Sequence, residues 1–156
     1  MKKGEMLGRM LVLVTNAHAN QFDKGGAPYI LHPIKVMHYL KTTDEDLQCI
    51  ALGHDVVEDT RVTYKDLRVA GMTERVIEGI RALTKVPGET LDEYKARVFA
   101  NHDAMLVKRC DLRHNSDIRR LKGVTHKDLE RMAKYHLFYL EIGAELAKEL
   151  VRSSDV

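Results

Sequence analysis

The chain has 156 residues, enough for one domain with a real hydrophobic core. Its apolar share of 44% and charged share of 31% are ordinary for a folded globular protein. With 25 basic residues against 23 acidic ones, the net charge of +2 lacks the excess usual in a general nucleic-acid binder and argues for neither nucleic acid nor a membrane surface as partner.

Met6, Leu7, Met10, Leu11 and Val14 recur at helical spacing at the start of the chain. The apolar run from Met10 to Val14 is too short to span a membrane, and no small-residue cleavage site follows it. Neither a span nor a signal peptide is expected, and the cytoplasm is the default compartment. Gly25, Gly26 and Pro28 then break the chain into a loop. Pro33 suits the first turn of a second helix and biases His32 away from helical geometry, at the helix entrance.

Later helix starts are marked by a threonine with an acid three residues on: Thr43 with Asp46, Thr63 with Asp66, Thr90 with Glu93, and Thr125 with Asp128. The pattern predicts helices over about Asp44–Val57, Tyr64–Ala70, Glu74–Leu83, Leu91–Asn101, Ala104–Asn115 and His126–Val151. Pro87 and Gly88 mark a loop, and no segment alternates long enough for a strand. The expected class is all-α, a compact helical domain over residues 1–151 followed by a disordered tail at 152–156. The last helix, with Leu137, Leu140, Ile142 and Leu146, is core or a homodimer surface. Cys49 and Cys110 form no CxxC pair and read as small buried thiols in apolar helical segments.

Two helices turn polar on what should be their buried face. Leu47, Ile50 and Ala51 define an apolar stripe whose continuation is His54, then Val57 and Glu58. Asp55 and Asp59 lie four residues apart on the neighbouring row. Ala104 and Val107 lead a second stripe that continues into Asp111, His114 and Asn115. Burying such groups is costly unless they are paired or bound to a metal. With His32, the set His32, His54, Asp55 and Asp111 offers two imidazoles and two carboxylates. That mixture suits Mn²⁺, Fe²⁺, Zn²⁺ or Mg²⁺ rather than a thiolate zinc site, with Mn²⁺ the first choice. Glu58 and Asp59 are near enough to orient or deprotonate a water.

The His54-Asp55 doublet resembles that of the HD superfamily of metal-dependent phosphohydrolases. The wider context resembles the hydrolase domain of the RelA/SpoT enzymes and the small alarmone hydrolases. It is carried by Ala17-His18-Ala19-Asn20-Gln21, Pro28-Tyr29-Ile30-Leu31-His32-Pro33, Gly53-His54-Asp55-Val56-Val57-Glu58-Asp59-Thr60 and Lys108-Arg109-Cys110-Asp111-Leu112-Arg113-His114-Asn115. The likeness implies a helical HD fold with the metal between helices, and Mn²⁺ held by His32, His54, Asp55 and Asp111. It also implies water activation by Glu58 and Asp59, and contact of Asn115 with the nucleotide sugar. The implied reaction removes pyrophosphate from the 3′ position of ppGpp. Lys24 becomes by analogy a phosphate or base contact, although an exposed loop lysine would look the same. His18 is either a hydrogen-bonding residue under the site or a substrate contact.

The chain departs from the family pattern at Asp23, where an arginine usually precedes the lysine, and at Ser116-Asp117-Ile118 in place of a Met-Arg-Thr-like run. Both fall on substrate-binding positions. Lys108, Arg109, Arg113, Arg119, Arg120 and Lys122 form a basic run, either a solvated helix face or an attractor of phosphate. Tyr29 reads as packing, and His38, His102, His126 and His136 as surface or packing residues. Three functions fit: a ppGpp 3′-pyrophosphohydrolase, an HD phosphohydrolase acting on another phosphorylated nucleotide or cofactor, or a metal-binding regulatory module without turnover. An alarmone synthetase domain is not expected in this length.

Overall fold

The computed structural model describes residues 2–154. Among the described residues nine α-helices follow one another: α1 (Glu5–Ala17), α2 (Leu31–Leu40), α3 (Glu45–Gly53), α4 (Val56–Asp59), α5 (Tyr64–Val69), α6 (Glu74–Leu83), α7 (Leu91–Phe99), α8 (His102–Asn115) and α9 (His126–Ser154), with a 3₁₀ turn at Ile118–Arg120. Among the described residues there is no strand, only an isolated bridge between Phe22 and Pro28. No helix among them is long and apolar enough to cross a membrane. The all-helical expectation holds.

Most of these helices are shorter than the roughly 12 residues at which an isolated helix becomes even marginal in water. Packing therefore has to hold them. The middle of the bundle is α3, whose Leu47 and Cys49 through Gly53 are all buried. It packs against α1, α2 and α6, while α8 packs against α2 and α9. Gly53 permits the closest approach. A Cβ there would lie 2.7 Å from Ile80 Cδ1 and 3.1 Å from Met10 Cε, so α3 can pass between α1 and α6 only without a side chain.

Threonine caps start several helices as expected. Thr63 and Thr90 form complete capping boxes with Asp66 and Glu93, and Thr125 and Asp128 exchange the same pair of bonds. Three local expectations differ. The cap of α3 is Asp44, which accepts from the Leu47 amide, rather than Thr43. His32 lies inside the first turn of α2, because turn bonds from Leu31 to Pro28 and from His32 to Tyr29 bring the chain in already helical. Pro33 costs nothing there, since amides of the first turn have no partner within the helix.

The third difference concerns the site. The helix expected over Asp44–Val57 is broken at His54-Asp55 into α3 and the single turn α4. The His54 ring nitrogen Nδ1 takes the Ala51 carbonyl at 2.7 Å. An uninterrupted helix would give that carbonyl to the Asp55 amide, so the side chain competes with the ladder. At the other end of the chain, α9 runs on through Ser154, so Arg152, Ser153 and Ser154 of the expected tail are helical. Asp155 and Val156 lie outside the described residues.

Candidate functional site

Three places in the bundle converge. The first turn of α2 brings His32, the α3–α4 junction brings His54 and Asp55, and the middle of α8 brings Asp111. His32 Nε2 lies 3.0 Å from Asp111 Oδ1 and 3.9 Å from Asp55 Oδ2. His54 Nε2 lies 3.0 Å from Asp55 Oδ2 and 3.5 Å from Asp111 Oδ1. His32, His54 and Asp111 are 2–3% exposed. Donor atoms of His32, His54 and Asp55 thus lie within 4.8 Å of one another, and Asp111 Oδ1 lies within 3.5 Å of both imidazoles.

Their outer atoms are tied down by neighbours. His54 gives Nδ1–H to Ala51, which turns Nε2 inward, and among the described residues that buried atom makes no hydrogen bond. Tyr29 donates its hydroxyl to Asp55 Oδ2. Lys108 Nζ donates to Asp111 Oδ2 at 2.8 Å, and Asn115 Nδ2 donates to Asp111 Oδ1 at 2.7 Å. His32 Nδ1 meets His114 Nδ1 at 2.7 Å with the two rings stacked. Such outer bonds fix the ring orientation and tautomer of a metal-binding histidine.

The electrostatics point the same way. Burial opposes charge on His54, but Asp55 and Asp111 outweigh it and hold its pKa well above the ordinary value. Burial likewise opposes the charge on Asp111, yet Lys108 and the two histidines push its pKa well below the usual range. Burial next to Arg120 and His32 lowers His114 to about 4, so His114 is neutral and can accept the proton of His32 Nδ1. The buried carboxylates demand positive charge between them, and the two imidazole nitrogens are soft enough to share a transition metal. The donor set therefore fits a divalent cation with mixed nitrogen and oxygen ligation.

Glu58 and Asp59 end α4, and both are exposed. One carboxylate oxygen from each of Asp55, Glu58 and Asp59 falls within 4.8 Å of the others. Glu58 is partly occupied, since its Oε1 accepts the Lys85 amide at 2.7 Å. Partial burial, then the charges of Asp55 and Glu58, raise the pKa of Asp59, which suits a group that must take up a proton. The backbone carbonyl of Asp59 is held by Gln21 Nε2 at 2.8 Å, and Gln21 Oε1 is bonded to His18 Nδ1 at 2.7 Å. His18 is buried beneath the loop, its ring against that of Tyr29.

Lys24 and Asn115 line one cavity of about 290 Å³ beside this cluster, with Asp23, Tyr29, Arg120 and Tyr135 in its wall. Lys24 is exposed on its rim. The basic run does not form one face. Lys108 turns inward to Asp111, Arg113 lies over the Tyr39 ring, Arg109 lies over Tyr139, and Arg120 reaches Asp23.

The sequence reading missed Tyr29, Lys108 and His114 as supports of the cluster. Lys108 could have been found from its place three residues before Asp111, whereas His114 stood on the inner stripe but its partner His32 lies 82 residues away. Tyr29 carries no local signal, because its partner lies 26 residues away.

No protein-family model matches the chain. The chain is 30% identical over 156 residues to the bifunctional (p)ppGpp synthase/hydrolase SpoT of Escherichia coli strain K12, an alignment covering 92% of this chain and 22% of that protein. It is 29% identical over 141 residues to a probable guanosine-3′,5′-bis(diphosphate) 3′-pyrophosphohydrolase of Synechocystis, covering 83% of this chain and 18% of the relative. A GTP pyrophosphokinase of Myxococcus xanthus is 26% identical, covering 94% of this chain and 21% of its own. The chain spans about a fifth of the length of these curated relatives. Among solved structures, one described as a metazoan ortholog of SpoT that hydrolyzes ppGpp superposes with a TM-score of 0.71 at 26% identity, covering 94% of this chain and 87% of that one. By its ordered motifs, its identity across most of its length and its fold, the chain is a homologue of the ppGpp 3′-pyrophosphohydrolases of the RelA/SpoT group, with their helical HD-type architecture.

Proposed function

We propose that the chain is a Mn²⁺-dependent phosphohydrolase that releases pyrophosphate from the 3′ position of ppGpp or a closely related nucleotide. The observation that carries this reading is the unpartnered, buried Nε2 of His54, set among His32, Asp55 and Asp111. A cation held by those four groups would polarise a phosphoryl oxygen and lower the pKa of a bound water. Asp59, with its raised pKa, accepts a proton from the attacking water, and Glu58 orients that water. The water oxygen bonds to the phosphorus attached to the 3′ oxygen, the bond between that phosphorus and the 3′ oxygen breaks, and the 3′ oxygen leaves as a hydroxyl once protonated. The neighbouring cavity, with Asn115 between it and Asp111, would take the nucleoside.

The names of the relatives support a guanosine polyphosphate, though one is named a GTP pyrophosphokinase and another a bifunctional synthase/hydrolase. The acidic pair beside the cluster favours hydrolysis. Asp23 in the cavity wall supports a second reading, in which the same machinery acts on a different phosphorylated nucleotide or cofactor. The reading places a single HD domain over residues 1–151 in the cytoplasm, where free thiols such as Cys49 and Cys110 persist. A homodimer would use the exposed Leu137 and Leu140 of α9.

The test is a product assay with Mn²⁺ over a panel of phosphorylated nucleotides that includes ppGpp. Pyrophosphate release from ppGpp at about 1 s⁻¹ or faster supports the first reading. Phosphate release from another compound alone supports the second. Bound metal without turnover on any compound would make the chain a regulatory module and overturn both.

A further inference from the structure

The last helix, α9, is apolar along two opposite faces. Phe138, Ile142 and Leu146 on its inner face are buried. On the far side Ala133, Leu137, Leu140, Ala144, Ala147 and Val151 are all exposed. Leu137 is 60% and Leu140 52% exposed, so folding of a single chain leaves this second stripe in water. A surface helix of one domain needs a single apolar stripe, and a second stripe calls for a second neighbour. Among the described residues α9 packs mainly on α8, which does not cover it.

The spacing says what kind of neighbour fits. From Ala133 to Val151 the six residues follow at alternating steps of four and three, the repeat by which one helix packs lengthwise on another. The stripe is about 27 Å long at 1.5 Å per residue. Its alanines allow two helix axes to approach closely. A lipid surface fits less well. Beside the stripe stand Glu130, Lys134, Glu141 and Lys148, which alternate in sign, whereas a helix lying on a membrane carries a basic border.

The stripe is complementary to itself when a second copy runs antiparallel. Setting Leu137 opposite Leu140 of a second copy repeats the contact across a two-fold axis, so four leucines meet at the centre. The same register sets Ala133 opposite Ala144 of the second copy and overlaps the two helices from His126 to Val151. On one flank Lys134 comes beside Glu141 of the second copy. Glu141 Oε2 takes Lys95 at 2.7 Å, yet the side chain stays 47% exposed and can meet a second cation. On the other flank Leu129 comes beside Leu150 of the second copy, and both are exposed in the single chain. A parallel pairing would instead bring Lys134 beside Leu129 and satisfy neither.

We propose that two copies of the chain pair through α9, antiparallel, with Leu137 and Leu140 at the centre and a Lys134–Glu141 ion pair on each side of it. The exposed face of α9 thereby gains an orientation and a register, and neither depends on which reaction the chain catalyses.

The test begins with sedimentation equilibrium of the full chain. Wild type should be a dimer at about 10 µM, and the double variant Leu137→Glu with Leu140→Glu should raise Kd about a hundredfold or more. Both positions are exposed, so the double variant should keep wild-type helicity by circular dichroism while sedimenting as a monomer. Orientation is read by mixing Ala133→Cys chains with tagged Ala144→Cys chains under mild oxidation. Antiparallel pairing puts those two cysteines opposite each other, whereas Ala133 lies about 16 Å along the axis from Ala133 of the second copy. Mixed disulfides should therefore form, and each variant alone should stay reduced. Wild type oxidised in parallel controls for the free thiols of Cys49 and Cys110. Wild type still monomeric at about 100 µM would overturn the proposal. So would a dimer that survives the two glutamates, or disulfides that join like chains.

Discussion

His32 and His114 meet Nδ1 to Nδ1 at 2.7 Å, their rings stacked with an interplanar angle of 13°. One of two facing ring nitrogens must donate and the other accept. A cation on His32 Nε2 requires the His32 proton to sit on Nδ1, and His114, with its pKa lowered to about 4, is a neutral partner that can accept it. Replacing His114 by alanine removes the atom that fixes this tautomer. His114→Ala is expected to weaken Mn²⁺ binding by about tenfold or more, read by calorimetry or by the paramagnetic signal of free Mn²⁺. Unchanged affinity would show that His114 only packs against His32.

Asp111 and Lys108 form a second testable pair. Asp111→Ala should abolish both metal binding and turnover. It also leaves the Lys108 ammonium without its carboxylate in a largely buried position. Breaking a buried pair from one side costs about 3 kcal/mol or more, measurable by urea denaturation of the metal-free protein. Adding Lys108→Met to Asp111→Ala should recover part of that loss, and additive losses in the double variant would deny the coupling.

Asp59→Asn and Glu58→Gln separate metal binding from chemistry. Both residues are exposed at the end of α4, so each variant should fold and bind Mn²⁺ like wild type. Asp59→Asn should lower kcat about 100-fold, the usual range for removing a positioned base. Glu58→Gln should lower it less, because the amide oxygen can still accept the Lys85 amide that now binds Glu58 Oε1. Full activity in Asp59→Asn would remove that residue from the mechanism.

Gly53→Ala tests how the bundle places His54. The added methyl would stand 2.7 Å from Ile80 Cδ1, and the Ile80 and Met10 side chains must move to admit it. Overpacking of this kind costs about 1–3 kcal/mol. The variant should melt several degrees lower, and Mn²⁺ affinity should fall with it because His54 follows directly in the chain. A lower melting temperature with unaltered affinity would show that the α3–α4 break fixes His54 independently of the packing above it.

The chain by itself determined the class of structure, most helix starts and the cluster residues His32, His54, Asp55 and Asp111. These signals are local. A threonine and an acid three residues later cap each other within one turn, and an ionisable group on an apolar stripe declares itself through the helical repeat. The same local logic failed at Asp44–Val57, because the bond from His54 to Ala51 breaks a helix that the periodicity alone would continue. The tertiary structure decided what the cluster leans on. His32 and His114 are 82 residues apart in the chain, and Asp23 and Arg120 are 97 apart. Nothing within a few residues of Asp23 indicates that the acid in the loop holds an arginine from beyond α8. Only the packing of α8 against α2 brings His114 to His32, and only the docking of Gly25 on Arg120 closes the wall of the neighbouring cavity.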